Sequence, residues 1–430
     1  MAKCIPTWSY DEAFYKTLLR GSPMEIVTDP LKGKGVVATR DIEEGETVHV
    51  ETALCCAQNF DGMQNGLRIC AYCLRDLEST VVHAHRATGS SKLAKCLPFA
   101  NLIEPVEPAP CRYYKEGCGE LYCSARCRDS AWEHHHAVLC HGFMNEAQRA
   151  AYDRLFEVEW EQDGVDYSDT VTLTLRIVTQ VIARHRLGQL NMTDAFSPFA
   201  QLIKLPLEKF HFAYLLVEKV IDTREEMLAF YKQTKEDPSQ LPGVKKARTP
   251  DRTKTQLVTL FAELLHGMLA MTEEERTFFT PSRVSEVMGA VLLNSQDRSP
   301  PCSYEQLETA LSNVPGGEAM LAEWTALVTQ VAGKETLDQL ETGTRGQGIY
   351  AAGCLFNHSC DPNLQVSYSY TNDETLHVTA LRDINKGEEL CISYIEETMP
   401  YLTRQQHLYE HYFFECGCPT CVEEAEEEES

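Results

Sequence analysis

The spacing of apolar residues changes character several times along the chain. A short stretch with helical spacing, Asp11 to Arg20, is followed by a run from Met24 to Ala57 in which β-branched residues gather between glycines. Val36-Val37-Ala38-Thr39 and Thr47-Val48-His49-Val50, punctuated by Gly33, Gly35 and Gly45, predict strands. From about Asn145 to Gly333 the apolar interval becomes three and four residues. It predicts helices over Ala147 to Trp160, Thr170 to Arg186, Leu207 to Gln233, Lys254 to Met271 and Ser282 to Leu293. Breaks fall at Asp237-Pro238, Pro242-Gly243, Pro300-Pro301 and Pro315-Gly316-Gly317. Short strand-like segments return from Thr342 to Glu397, and Tyr401 to Tyr412 reads as a closing helix. A cysteine-rich stretch, Cys70 to Cys140, separates the first strands from the helices. Its polar, proline-bearing part from His83 to Pro110 reads as an insertion loop.

Length and composition narrow the class. A chain of 430 residues can hold two or three domains. A hydrophobic share of 43% with 24% charged residues is ordinary for a globular protein. No stretch approaches the roughly 18 consecutive apolar residues that span a bilayer, and Met1-Ala2-Lys3-Cys4-Ile5-Pro6 lacks the core of a secretory signal. A soluble, intracellular protein without membrane partners is therefore expected. The net charge of -25 repels phosphate backbones and disfavours nucleic acid, while it attracts basic protein segments. The run Glu423 to Ser430 contributes six of the acidic charges and reads, by composition, as a disordered, solvated tail.

The 18 cysteines are bunched in short-spaced pairs, which in a chain with no export signal points to metal ligands rather than disulfides. Structural zinc takes four tetrahedral ligands, mostly thiolates with an occasional imidazole. Cys70-Ala71-Tyr72-Cys73, Cys123-Ser124-Ala125-Arg126-Cys127 and His136-Ala137-Val138-Leu139-Cys140 each supply a pair, and Cys111 with Cys118 can supply a fourth. Cys96 is an alternative to Cys111, and His134 or His135 to His136. The three-residue gap to Cys140 favours His136, because it places two ligands on one helical face. A further cluster, Cys416-Gly417-Cys418-Pro419-Thr420-Cys421, closes the chain and is one ligand short.

Two motifs lie upstream of that last cluster: Asn357-His358-Ser359-Cys360-Asp361-Pro362-Asn363, and Gly387-Glu388-Glu389-Leu390-Cys391-Ile392-Ser393-Tyr394. In this order, with the cysteines behind them, they resemble the catalytic half of SET-domain protein-lysine methyltransferases. The phrase Tyr122-Cys123-Ser124-Ala125-Arg126-Cys127 resembles a MYND zinc finger, and the combination resembles the SMYD family (SET and MYND domain-containing methyltransferases) over Met24 to Cys140 and Gly346 to Cys421. The absence of a helical repeat domain after Cys421, and the glutamate run there, look like the fifth SMYD subtype, whose substrates are histone and ribosomal proteins.

The resemblance implies an α+β fold: a split, β-rich SET domain with a knot-like active-site loop, an inserted MYND finger, a helical insert and a post-SET zinc segment. The expected boundaries are 1–69 and 341–400 for the two SET parts, 70–140 for the finger, 141–340 for the helical insert, 401–421 for the post-SET segment and 422–430 for the acidic tail. Interleaved ligation is implied, with Cys70, Cys73, Cys123 and Cys127 on one zinc and Cys111, Cys118, His136 and Cys140 on a second. Cys360 would complete a third site with Cys416, Cys418 and Cys421.

The implied activity is S-adenosylmethionine-dependent lysine methylation, up to trimethylation. Tyr394 is then the catalytic tyrosine and Tyr412 a wall of the lysine channel. Phe414 would stack on adenine, Asn357 and His358 would contact the cofactor, and Lys32-Gly33-Lys34-Gly35 would form a glycine loop with Lys32 facing the cofactor carboxylate. Asn294 would reach its methionine portion. Implied partners are basic protein substrates and proline-containing peptides at the finger, in the nucleus, the cytoplasm or both. The competing reading is a catalytically weak finger scaffold; the presence of Tyr394, Asn357 and His358 together favours the enzyme.

Overall fold

The computed structural model describes residues 6–29, 32–64, 66–94, 106–162, 165–210, 215–217, 244–246, 253–299, 302–334, 337, 345–368 and 375–429. Cys96, most of the expected helix Leu207 to Gln233 and the Pro300-Pro301 break lie outside them.

The two ends of the chain build one β-rich unit. Strand Thr47–Thr52 pairs antiparallel with Thr375–Ala380, which pairs in turn with Leu364–Tyr368. Cys55–Gln58 pairs with Gly346–Ile349, and Ser295–Arg298 joins the far edge of that strand. Met24–Asp29 and Gly33–Ala38 form a hairpin. Residues remote in sequence share a single core: Val36, Ala38, Ile42 and Val48 from the start of the chain, and Phe356, Leu364, Val378, Leu390 and Ile392 from its end. The core of the β unit is therefore completed only when both ends of the chain contribute to it.

The helices between them form a second core. The 21-residue helix Ser168–Gly188 is buried along most of its length. Around it lie Glu146–Glu157, Lys254–Met268 and Pro281–Asn294, with Trp160, Phe261 and Phe279 filling the centre. Side-chain caps explain the helix starts. Asn145 with Gln148 and Thr253 with Gln256 form capping boxes, and Thr280 precedes Pro281 at the first helical position. The same core includes Cys55, Ala57 and Ile349, so the helical insert sits directly on the β unit. Among the described residues, no helix is long and apolar enough to cross a membrane.

Two expectations need correction. The stretch read as a loop from His83 to Pro110 begins as helix: Thr80–Thr88, capped by the Ser79 hydroxyl, then Ser91–Ala94. Val81 and Ala84 of the first helix pack on Leu307, Leu311, Trp324 and Val328 from Ser303–Ser312 and Gly317–Ala332. The stretch 70–140 therefore contributes a helix to a small cluster completed by residues of the helical insert. The acidic tail is also ordered in backbone: helix Pro419–Glu429 runs from the last metal cluster through the glutamates. Proline at its start and helix-forming glutamates after it outweigh the charge repulsion.

Candidate active site and metal clusters

Three sets of side chains gather as groups whose ligand atoms lie within 4.8 Å of one another: Cys70, Cys73, Cys123 and Cys127; Cys111, Cys118, His136 and Cys140; and Cys360, Cys416, Cys418 and Cys421. In the second set His136 Nε2 stands 3.2 Å from Cys111 Sγ and 3.3 Å from Cys118 Sγ. A π-helical turn over Trp132–His136 interrupts the finger helix and sends the neighbouring histidines elsewhere. His134 meets the Tyr72 hydroxyl at 2.8 Å, and His135 is buried against the Tyr72 ring. The wide Cys111 to Cys118 interval closes because Cys118 N–H donates to the Tyr113 carbonyl, while Tyr113 N–H donates to Cys111 Sγ.

Donor chemistry fits a cation in all three. The first set holds two thiols pulled below their usual range, Cys123 and Cys127, and the other two hold one each, Cys118 and Cys416, with hydrogen bonds from neighbouring thiols the chief lowering cause. Thiols so crowded cannot all ionise against each other. A divalent ion supplies the charge that lets them.

The third cluster adjoins a ring of aromatic side chains. Strand Asn357–His358 runs parallel to Cys391–Ile392, and Ser359 N–H donates to the Ile392 carbonyl at 3.0 Å, while Asn363 holds the second strand. The Asn363 amide donates to the Glu389 carbonyl at 2.8 Å and accepts from Cys391 N–H at 2.9 Å. This brings Tyr394 beside His358, whose Nδ1 accepts the Tyr394 N–H at 3.0 Å. That bond assigns the imidazole proton to Nε2, which points at Cys360 Sγ 3.3 Å away. One histidine thus joins the metal cluster to the tyrosine. Burial pushes the Tyr394 phenol well above its usual range, so it stays protonated, and it donates to the Phe356 carbonyl at 2.6 Å. Tyr412 lies 4.9 Å from the Tyr394 ring, Phe414 6.5 Å from it and 6.1 Å from His358.

The glycine loop meets this site from the other side. A Cβ at Gly35 would stand 2.6 Å from Asn357 Nδ2, so any larger residue would push the asparagine amide from its place. Gly33, at φ +82, turns the hairpin beneath the Trp8 indole.

Three expected cofactor residues are engaged differently from the sequence reading. Lys32 is paired with Glu389 Oε2 at 2.7 Å, and Glu389 Oε1 also accepts from Asn357 Nδ2 at 2.9 Å. Lys34 is buried, with its ammonium given to the Tyr15 hydroxyl at 2.7 Å and to the carbonyls of Ser9 and Gln201. Burial lowers its pKa to about 8. Asn294 spends both amide hydrogens on the Ile203 and Ala290 carbonyls. Lys34 and Asn294 nevertheless line one cavity, with Tyr15, Cys354 and Leu355, beside the turn that leads into Asn357.

Sequence reasoning missed Glu51 altogether. Its buried carboxylate accepts the N–H groups of Ala352 and Gly353 and so fixes that turn; burial raises its pKa to about 7. Gln405 was missed as well. Its amide exchanges two 2.8 Å bonds with the Cys416 backbone, docking the last cluster on helix Tyr401–Tyr412.

The SET domain family matches residues 33–395, and the chain belongs to that family. Within it, the chain is 28% identical to the protein-lysine N-trimethyltransferase SMYD5 of Mus musculus, over 95% of this chain and 88% of that relative. The Homo sapiens counterpart is 28% identical over 92% and 85%. The histone-lysine N-methyltransferase ATXR2 of Arabidopsis thaliana is 23% identical over 98% and 95%.

Proposed function

We infer that this chain is an S-adenosylmethionine-dependent protein-lysine N-methyltransferase. The observation that carries the reading is the convergence of Tyr394, Tyr412, Phe414 and His358 at the Asn357–His358 strand. When bound, the cofactor supplies an electrophilic methyl on a cationic sulfur. The chain's own residues suit that charge and its acceptor. Asn357, His358 and Gly35 form the cofactor side of the cleft, and aromatic faces and the Phe356 carbonyl offer π-electrons and an oxygen dipole to a cation.

An aromatic channel also desolvates the incoming lysine, which favours the neutral amine that displacement needs. Because the Tyr394 hydroxyl donates to Phe356, its lone pairs are left to accept from the amine and orient it. No strong acid or base is required beyond loss of the amine proton to solvent.

The metal reading is one zinc in each cluster, about three per chain, with the ligand sets given above. Basic proteins, histone and ribosomal chains among them, are the proposed substrates, the net charge of -25 drawing them in. Successive transfer up to trimethyl-lysine and nuclear or cytoplasmic residence go with that reading. The finger presents Tyr113, Trp132 and Phe143 in mutual contact, with Phe143 54% exposed. That face suits a proline-containing peptide as a second, recruiting interaction. The test is incubation with methyl-labelled cofactor and a panel of basic proteins. Label on lysine is the expected result; cofactor binding without transfer to any of them would favour the scaffold.

A further inference from the structure

The residue between Tyr412 and Phe414 is bent out of the ordinary backbone range. Phe413 has φ 65° and ψ 24°, a left-handed conformation. Bulky side chains adopt it only under strain, and glycine takes it freely. Strain of this kind persists only where surroundings enforce it. Two contacts enforce it here. The Phe413 N–H caps helix Tyr401–Tyr412 through the Tyr409 carbonyl at 3.1 Å. The Phe413 ring leaves the catalytic cleft and meets Phe210 edge-on, with centroids 5.2 Å apart, against the core of the helical insert. The turn sends its two neighbours the opposite way, so that Tyr412 and Phe414 both face Tyr394.

We propose that Phe413 is a positioning residue, a peg in the helical insert that sets how far Tyr412 and Phe414 stand from Tyr394 and thereby the width of the lysine channel. The proposal rests on the methyltransferase reading. Phe210 is itself firmly held: it is fully buried, and its carbonyl accepts the buried Lys254 ammonium. The channel's width is therefore referred to a buried residue of the helical insert, outside the SET core. A glycine in a turn of this shape would satisfy the backbone and lose only the peg.

The test compares wild type with Phe413→Gly, Phe413→Leu and Phe210→Leu on a lysine peptide, reading kcat, KM and the ratio of mono-, di- and trimethylated product. Metal content and affinity for S-adenosylhomocysteine are measured alongside. Phe413→Gly is expected to keep three metals and its nucleoside affinity. Its kcat should fall about tenfold, since small misplacements of reacting groups cost that much or more, and the product ratio should shift. Phe413→Leu, which shortens the peg without removing it, should shift the product ratio the same way by less. Phe210→Leu, which leaves the C-terminal segment untouched, should reproduce the shift and decides the matter if the glycine variant does not fold. Wild-type kcat, KM and product ratio in both Phe413→Gly and Phe210→Leu would overturn the proposal while leaving the methyltransferase reading intact. Absence of transfer by wild type would overturn both.

Discussion

The C-terminal metal cluster and the two finger clusters have almost the same ligands but stand in different relations to the aromatic cleft. At the C-terminus, Cys360 is bonded to His358, His358 to Tyr394, and Cys416 lies two residues beyond Phe414. A metal there would hold the cleft's own walls. The finger reaches the β unit through Leu74, which packs with Cys56 and Ile69, and through buried polar joints. Arg298, buried, donates to the Cys73 carbonyl and to the Tyr350 hydroxyl. Arg345 pairs with Asp76 at 2.8 Å, both nearly buried, and Asp76 also accepts from Ser303 N–H. The contrast teaches that ligand chemistry does not by itself say what a metal site is for; what its ligands touch does. On that ground a metal in the first would belong to the reaction site, and metals in the others would orient a module.

Replacement of ligands should break the comparison most severely if it is wrong. Cys421→Ser is expected to lower metal content by one and reduce methyl transfer at least about 100-fold, because the cleft's wall is released. Cys127→Ser should lose a metal as well yet keep S-adenosylhomocysteine affinity within a few fold, measured by calorimetry. Equal losses from both variants would erase the distinction. Asp76→Ala comes next. It leaves Arg345 buried without its carboxylate, a cost of about 3–5 kcal/mol read by chemical denaturation, whereas kcat of the folded fraction should hold.

Glu51 sharpens the picture on the catalytic side. Its pKa rises from 4.5 to about 7 on folding, so its contribution to stability is complete below pH 4.5 and is lost as pH climbs through 7. Wild type should lose at most about 3 kcal/mol over that window, and Glu51→Gln should flatten the slope. Below pH 4.5 the glutamine variant should be about 1–2 kcal/mol less stable than wild type, since one of two N–H donors then faces an amide NH2, and the deficit should close or reverse as pH climbs through 7. The smallest effect is expected at Lys32→Ala. That pair is exposed, so removing it should change stability by no more than about 1 kcal/mol. A much larger fall in cofactor affinity would mean that Lys32 turns from Glu389 to the ligand.

What could be read from sequence was local. The closing helix Tyr401–Tyr412 has the ends its apolar spacing predicts, and short cysteine spacings pointed to the residues that gather in the three clusters. The family resemblance supplied the partition among clusters and the pairing of Cys360 with the last three cysteines. Features set by long-range contact stayed hidden. Glu51 acts on Gly353, 302 residues away, and nothing in Val48-His49-Val50-Glu51 marks the glutamate as inward-facing and capping. Lys34 falls within the expected glycine loop, and its burial stayed hidden because Ser9, Tyr15 and Gln201 come from elements whose position the pattern cannot give. The helix at Thr80–Thr88 was masked by its polar surroundings, since its apolar face is completed only by Leu307, Trp324 and Val328. Phe413 carries no sequence signal of a left-handed turn, which glycine ordinarily marks.

The account turns on one hydroxyl. Single-turnover methyl transfer by Tyr394→Phe, with S-adenosylhomocysteine affinity measured on the same preparation, tests it most directly. Unchanged nucleoside binding with transfer slowed by about 100-fold or more is expected. Transfer at the wild-type rate would contradict the placement of the reaction beneath Tyr394.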